Sequence, residues 1–157
     1  MIKKLIIFIL VIFGLTGCGY SPIYSNNNEK SFEIYDLELE GDEEINNIIE
    51  RELDGYFDNN SQKKYIIKIK TNYKKISATK DRTGSTTHFN IIVDLNLSYE
   101  RVDSELEKGI RKLSFSENLI IKKNQDNFEQ NDYEKITIKN ISGLLINRVV
   151  LHLARSS

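Results

Sequence analysis

A single thiol is the side chain of this sequence whose chemistry is the most distinctive. Cys18 is the one cysteine among 157 residues, and it directly follows Leu15, Thr16 and Gly17. A cysteine thiol can form a thioether to diacylglycerol, and small residues in the two positions before it let a peptidase reach the peptide bond. The spacing therefore predicts cleavage before Cys18 and attachment of lipid to its sulfur, a stable membrane anchor once two or more acyl chains are present.

The residues before Cys18 have the composition of a secretion signal. Lys3 and Lys4 form a basic start, and an apolar stretch follows over residues 5–15. A helix of about 11 residues spans only ~17 Å, whereas the hydrocarbon core of a bilayer is ~30 Å thick. The stretch is therefore short for a transmembrane anchor and is typical of a signal peptide. The alternative is a buried structural cysteine behind an uncleaved anchor.

These patterns divide the chain into three parts. Residues 1–17 are interpreted as a lipoprotein signal peptide ending in a lipobox, residues 18–30 as a lipidated N-terminus and flexible linker, and residues 31–157 as one folded domain. Gly19 follows the cysteine where an Asp would indicate retention in the inner membrane, so we expect a lipid-anchored protein on the periplasmic face of the outer membrane. Residues 18–157 carry 20 Lys and Arg against 23 Asp and Glu, a net charge of −3, which does not favour a nucleic-acid partner.

A group of cations is the second feature with chemical meaning. Lysines recur along one predicted strand and its end, and two more cations occupy the turn that follows: Lys68, Lys70, Lys74, Lys75, Lys80 and Arg82. Cations that converge on one tip could bind an anionic partner such as a lipid headgroup or a phosphorylated sugar. The alternative is a solvated strand face whose lysines prevent edge-to-edge aggregation.

No catalytic constellation is evident in the sequence. His88 and His152 are far apart, and the sequence contains neither a Cys/His cluster with metal-ligand spacing nor a phosphate-binding glycine loop. The acidic run Asp42 to Glu44 is explained by the positive end of a helix dipole. We therefore expect a protein that is not an enzyme and that has no metal or cofactor beyond the lipid on Cys18.

The elements that must position these residues follow from the apolar periodicity. Strict alternation predicts strands and the i, i+3, i+4 pattern predicts helices. In the first strand, Phe32 and Ile34 are placed on one face and Tyr35, Leu37 and Leu39 partly on the other. The predicted order is β-α-β-β-β-α, with strands at residues 32–39, 65–73, 89–99 and 111–122, a first helix at 41–58, turns at 77–86 and 103–109, and a loop at 124–130.

The last helix is predicted to begin at Asn131, because Glu134 three residues later completes a capping box. Its core stripe includes Ile138, Ile141 and Leu145, and close packing on the sheet is the expected reason for Gly143. Strands with one apolar face need a cover that two amphipathic helices supply. The predicted fold is a two-layer α+β sandwich with a four-stranded sheet covered by two helices.

Three segments resemble one family. The N-terminal C-G-Y-S-P-I-Y (residues 18–24), the segment D-R-T-G-S-T-T-H-F (residues 81–89) and the final R-V-V-L-H-L (residues 148–153) are similar to the lipopolysaccharide-assembly lipoprotein family LptE, in its alphaproteobacterial branch. The Arg expected near His88 is missing. The resemblance implies a plug inside the LptD β-barrel that assists barrel assembly and contacts lipopolysaccharide during its transport to the outer leaflet.

In that reading Cys18 carries the lipid, and the candidate lipopolysaccharide contacts are Lys74, Lys75, Lys80 and Arg82. The alternative function is an accessory lipoprotein of the β-barrel assembly machinery or of a lipid-trafficking ABC system. A lipoprotein hydrolase is disfavoured because no nucleophile and base pair is evident.

Overall fold

The fold is a four-stranded sheet with two helices on one face, as the sequence predicts. The computed structural model describes residues 30–102 and 109–156, so the predicted signal peptide, Cys18, most of the linker and most of the 103–109 turn lie outside the described residues. The elements are β1 (Glu33–Glu40), α1 (Glu43–Leu53), β2 (Lys64–Lys80), β3 (Thr86–Arg101), β4 (Arg111–Lys122) and α2 (Asn127–Arg155).

The sheet has the strand order β1-β2-β3-β4. β1 runs parallel to β2 across the α1 crossover, and β2, β3 and β4 form an antiparallel meander. Alternate side chains of each strand point towards the helices, and this face of the sheet is called the covered face below. The other side chains point away from the helices, on the open face. One core is enclosed between the covered face and both helices, built from the aliphatic side chains of all six elements together with Phe32, Tyr65 and Tyr99.

A β-bulge corrects the predicted orientation of β1. The register with β2 shifts between Ile34 and Asp36, so Tyr35 is left outside the regular pairing and is largely exposed. The extra residue returns Leu37 and Leu39 to the covered face, opposite residues 67 and 69 of β2. Their placement on the face opposite Ile34 was therefore wrong.

The first helix is shorter than the 18 residues predicted from its apolar stripe. α1 begins after Asp42, whose carboxylate accepts a hydrogen bond from the backbone N–H of Ile45 at 3.0 Å. It ends at Leu53, and a 3₁₀ turn follows over Asp54–Tyr56. Asp58 then adopts a positive φ of 50°, which a helix cannot continue through.

The start of the last helix is also corrected, because Asp126 and not Asn131 caps it. The Asp126 carboxylate accepts hydrogen bonds from the N–H groups of Phe128 (2.6 Å) and Glu129 (3.2 Å). Residues 127–130 are therefore helical rather than part of a loop. Glu134, the expected partner of the Asn131 cap, instead accepts hydrogen bonds from Tyr73 and Lys75 on β2.

The two ends of the sheet are built from different parts of the chain. At the end called proximal, the described chain enters at Lys30, and Lys63 donates to the carbonyl of Ser156 just after α2 (2.7 Å). At the other end, called distal, lie the turn at residues 81–85 between β2 and β3 and the start of α2. β2 has 17 residues, so at ~3.3 Å per residue the two ends are about 50 Å apart.

Candidate functional site

The distal end brings together four cations from two separate parts of the chain, Lys80, Arg82, Lys122 and Lys123, called the distal cluster below. β2 extends to Lys80, further than the predicted strand, so the turn that follows is shorter than the turn predicted over residues 77–86. The pairing of β3 with β4 places Lys122 opposite His88. The N–H of Lys123 donates to the carbonyl of Thr87 at 2.8 Å.

The turn that carries Arg82 is held by one carboxylate. Asp81 Oδ1 accepts hydrogen bonds from the N–H of Thr83 (2.8 Å), the hydroxyl of Thr83 (2.6 Å) and the N–H of Ser85 (3.0 Å). The Thr83 hydroxyl is the main reason that the pKa of Asp81 lies below its usual value. Gly84 supplies the positive φ of 85° that the turn requires. Arg82 is thus presented to solvent from a fixed backbone.

The second half of the distal cluster borders a depression of about 470 Å³. Its walls are the first residues of β3 and the segment that joins β4 to α2: Thr86, Thr87, Lys122, Lys123, Asn124, Gln125 and Asn127. That segment is anchored because Gln130 Oε1 accepts a hydrogen bond from the N–H of Asn124 at 2.7 Å. The hydroxyl and amide groups beside the two lysines could donate hydrogen bonds to a bound anion, and could both donate hydrogen bonds to a sugar and accept them from it.

Within residues 30–102 and 109–156, none of the four cations of the distal cluster forms an ion pair. Three carboxylates of this end accept hydrogen bonds from local donors: Asp81 within its turn, Asp126 at the start of α2, and Glu129 from the side-chain amide of Asn124 (2.7 Å). The four cations are therefore available to a ligand.

Lys74 and Lys75, the other two predicted contacts, are placed elsewhere by the structure. Lys74 lies on the open face and pairs with Asp94 at 3.2 Å, whereas Lys75 lies on the covered face, where it pairs with Glu134 at 2.5 Å and sits 4.6 Å from the centre of the Phe89 ring. Consecutive residues of a strand point to opposite faces, so these two lysines cannot join one stripe.

Lys68 and Lys70 are nearer the proximal end. Lys68 pairs with Glu38 (2.9 Å) and Glu40 (2.6 Å) of β1, and these hydrogen bonds raise the pKa of Lys68 and lower that of Glu40. Lys70 is opposite Glu40 in the β1–β2 pairing. This part of the predicted stripe is an array of cross-strand ion pairs, as expected for a solvated strand face.

The two histidines are separated by the length of the domain. His88 Nδ1 is 2.7 Å from the Thr79 hydroxyl at the distal end, and His152 Nε2 is 2.8 Å from the Tyr99 hydroxyl at the proximal end. The described residues contain no group of three or more His, Cys, Asp and Glu side chains that could hold a metal ion. Among the helices described, neither is long and apolar enough to cross a membrane.

Sequence reasoning identified Lys80 and Arg82 at the distal end but missed Lys122 and Lys123. The signal that could have found them is the β3–β4 hairpin. Opposite residues of β3 and β4 have numbers that sum to 210, from Tyr99 with Arg111 to His88 with Lys122, so the register of the hairpin places Lys122 beside His88.

The fold belongs to a class already seen in bacterial lipoproteins of known structure. The crystal structure of rare lipoprotein B from Shewanella oneidensis matches 76% of this chain and 93% of its own chain at 11% identity, with a TM-score of 0.53. A minor lipoprotein from Acinetobacter baumannii matches 80% of this chain and 91% of its own at 13% identity, with a TM-score of 0.48.

The solution structure of uncharacterized lipoprotein B from Nitrosomonas europaea is similar at the same level, with 13% identity over 79% of this chain and 85% of its own, and a TM-score of 0.49. No protein-family model matches the sequence, and no curated protein matches it. At 11% identity, the likeness to rare lipoprotein B is a likeness of fold.

Proposed function

We propose that this protein is an outer-membrane lipoprotein that contacts lipopolysaccharide through its distal end and assists the assembly of the LptD β-barrel. The observation that carries the proposal is the convergence of Lys80, Arg82, Lys122 and Lys123 at one end of the sheet, without ion-pair partners among the described residues. Lysine and arginine are the side chains that bind phosphate groups, and the phosphorylated glycolipid supplies several of them.

The anchoring part of the proposal is supported by the sequence. The signal-peptide pattern and Cys18 predict lipid attachment, and a fold shared with rare lipoprotein B of Shewanella oneidensis is consistent with that class of protein. The described chain enters the domain at its proximal end, so Lys30 and the distal cluster are at opposite ends of the sheet.

A binding assay with matched variants tests the contact with lipopolysaccharide. Lys122→Gln and Arg82→Gln should each weaken binding of purified lipopolysaccharide about threefold to tenfold, since each removes one charge-assisted contact. Lys112→Gln is the control, because Lys112 is an exposed lysine of the same strand at its other end. Equal affinity of the Lys122→Gln variant and the parent protein would contradict the proposed contact.

The partner is tested separately by depletion and co-purification. Depletion should leave LptD misassembled and remove lipopolysaccharide from the cell surface, and the protein should co-purify with LptD from outer membranes. Normal LptD oxidation and barrel formation after depletion would rule the proposed role out. Co-purification with the β-barrel assembly machinery or with a lipid-trafficking ABC system would instead support the alternative function.

A further inference from the structure

Three isoleucines lie close together on the distal part of the open face, where they alternate with Asn90, Lys74 and Asn118, and are called the isoleucine shelf below. Ile76 of β2 and Ile120 of β4 are both opposite Asn90 of β3, and Ile92 lies two residues further along β3 on the same face. Ile76 and Ile120 are 49% and 57% exposed. With strands ~4.8 Å apart and same-face neighbours ~6.7 Å apart, the shelf measures about 10 Å by 7 Å.

The rest of the open face is mainly polar. Side chains of β3 and β4 form cross-strand hydrogen bonds between the shelf and the proximal end, from Ser114 to Asn96 and from Ser116 to Asp94. Within the rows of the shelf, Asn118 donates to Asn90, which lies between Ile76 and Ile120. Ser116 is the main reason that the pKa of Asp94 is lowered. The three isoleucines of the shelf thus lie together in the distal part of the open face, and Ile66 is a separate exposed isoleucine near the proximal end.

The shelf is continuous with the distal cluster. Lys122 is two residues beyond Ile120 on the same face of β4, and the row of Thr79, His88 and Lys122 directly follows the row of Ile76, Asn90 and Ile120. A ligand that reaches the cations from the open face thus meets apolar surface within about 7 Å. Apolar area beside unpaired cations is complementary to a molecule with an anionic head and an acyl tail, and not to a free phosphate.

We infer that the distal end is a two-part site for an anionic amphiphile, in which the distal cluster holds the phosphate and the isoleucine shelf holds part of an acyl chain. This inference rests on the proposed contact between the distal cluster and a phosphorylated lipid and adds the part of the ligand that it recognises. The shelf covers only part of a chain and is open to solvent on one side, so it favours an acylated ligand without enclosing it.

Two soluble probes separate the two parts of the site. The full-length lipidated protein, held in phosphatidylcholine nanodiscs, is titrated with glycerol 3-phosphate and with dihexanoyl phosphatidic acid below its critical micelle concentration, with empty nanodiscs subtracted. The parent protein should bind the acylated probe at least tenfold more tightly, because burial of apolar area adds to the phosphate contact. The double variant Ile76→Ser/Ile120→Ser should lose that preference and keep its affinity for glycerol 3-phosphate.

The control is Ile66→Ser, because Ile66 is an exposed isoleucine of the same face near the proximal end, and it should keep the preference. Circular dichroism confirms that each variant is folded. The inference is overturned if the double variant keeps the tenfold preference, if it loses both probes equally, or if the parent protein binds both probes with equal affinity. If the parent protein binds both probes with equal affinity, the proposed phosphate contact still stands. If neither probe binds, both the phosphate contact and the two-part site are overturned.

Discussion

Replacing Gly41 by alanine is expected to destabilise the domain by roughly 3–5 kcal/mol. Gly41 joins β1 to α1 with a φ of +107°, and a Cβ at this position would lie 2.0 Å from the carbonyl oxygen of Thr71 and 2.8 Å from its hydroxyl. The positive φ costs alanine about 1–2 kcal/mol. The clash with backbone on β2 cannot be relieved by a side-chain rotation, so the junction must move.

The movement would disturb the hydrogen bonds that hold the start of α1 on the sheet. The buried Thr71 hydroxyl accepts from the N–H of Asp42 at 3.0 Å and donates to Asn46 Oδ1 at 2.8 Å. Each such bond contributes about 1 kcal/mol, and a buried group left without a partner costs about 1–3 kcal/mol. Domains of this size are stable by only about 5–15 kcal/mol, so the change is a large fraction of the total.

Urea denaturation followed by far-UV circular dichroism measures this effect, and Gly84→Ala is the matched control. Gly84 has a similar φ of +85°, but nothing lies within 4 Å of the Cβ position, so only the conformational cost of about 1–2 kcal/mol applies. The difference between the two variants isolates the steric term. If Gly41→Ala were no more destabilising than Gly84→Ala, the close approach of the junction to β2 would be refuted.

Three further predictions concern other parts of the domain. Gly143→Ala should stabilise the protein by about 0.5–1 kcal/mol in urea denaturation, because α2 gains helix propensity and the new Cβ meets no atom within 4 Å. A loss of stability would instead support the sequence-based prediction that Gly143 allows close packing of α2 on the sheet. Asp126→Ala should cost about 1 kcal/mol and Asn131→Ala less than half of that, whereas the reverse order would place the helix start at Asn131. Burial, together with Glu134, raises the pKa of Tyr73. The contribution of Tyr73 to the free energy of unfolding is therefore fully present below the unfolded pKa of ~10 and is lost as the pH rises towards the folded pKa. Tyr73→Phe should make the decline in stability between about pH 9 and 11 less steep.

The faces of β2 and β3 could be predicted because alternation of apolar and polar residues has a single structural meaning, whereas the β-bulge that reverses the alternation in β1 could not. Tyr65, Ile67 and Ile69 all lie on the covered face, as the period of two requires. The start of α2 could not be predicted by spacing alone, since Asp126 and Glu129 have the same separation as Asn131 and Glu134. The choice depends on tertiary contacts, because Glu134 is bound to Tyr73 and Lys75 of a strand some 60 residues earlier.

The candidate site was only half predictable for the same reason. Lys80 and Arg82 are close in sequence and could be recognised as neighbours in one turn. Lys122 and Lys123 follow some 40 residues later, and only the register of β3 with β4 brings them to that end. Conversely, Lys74 and Lys75 are adjacent in sequence but lie on opposite faces, where each meets a carboxylate from another element. Charge proximity in the chain is therefore a poor guide to charge proximity on a sheet.

The distance of the distal cluster from Lys30 favours a role in binding a ligand over reinforcement of the predicted membrane anchor. Basic residues strengthen a lipid anchor when they lie near the anchored leaflet, and their effect falls off within about 10 Å. Here the cations are about 50 Å along β2 from the end at which the described chain enters. Lys80→Gln/Arg82→Gln/Lys122→Gln should therefore leave the amount of protein in the membrane fraction unchanged at low salt while it weakens binding of lipopolysaccharide by more than tenfold. Release of the triple variant from membranes with intact lipid on Cys18 would show that the cations serve attachment, and the functional reading of the distal end would then be wrong.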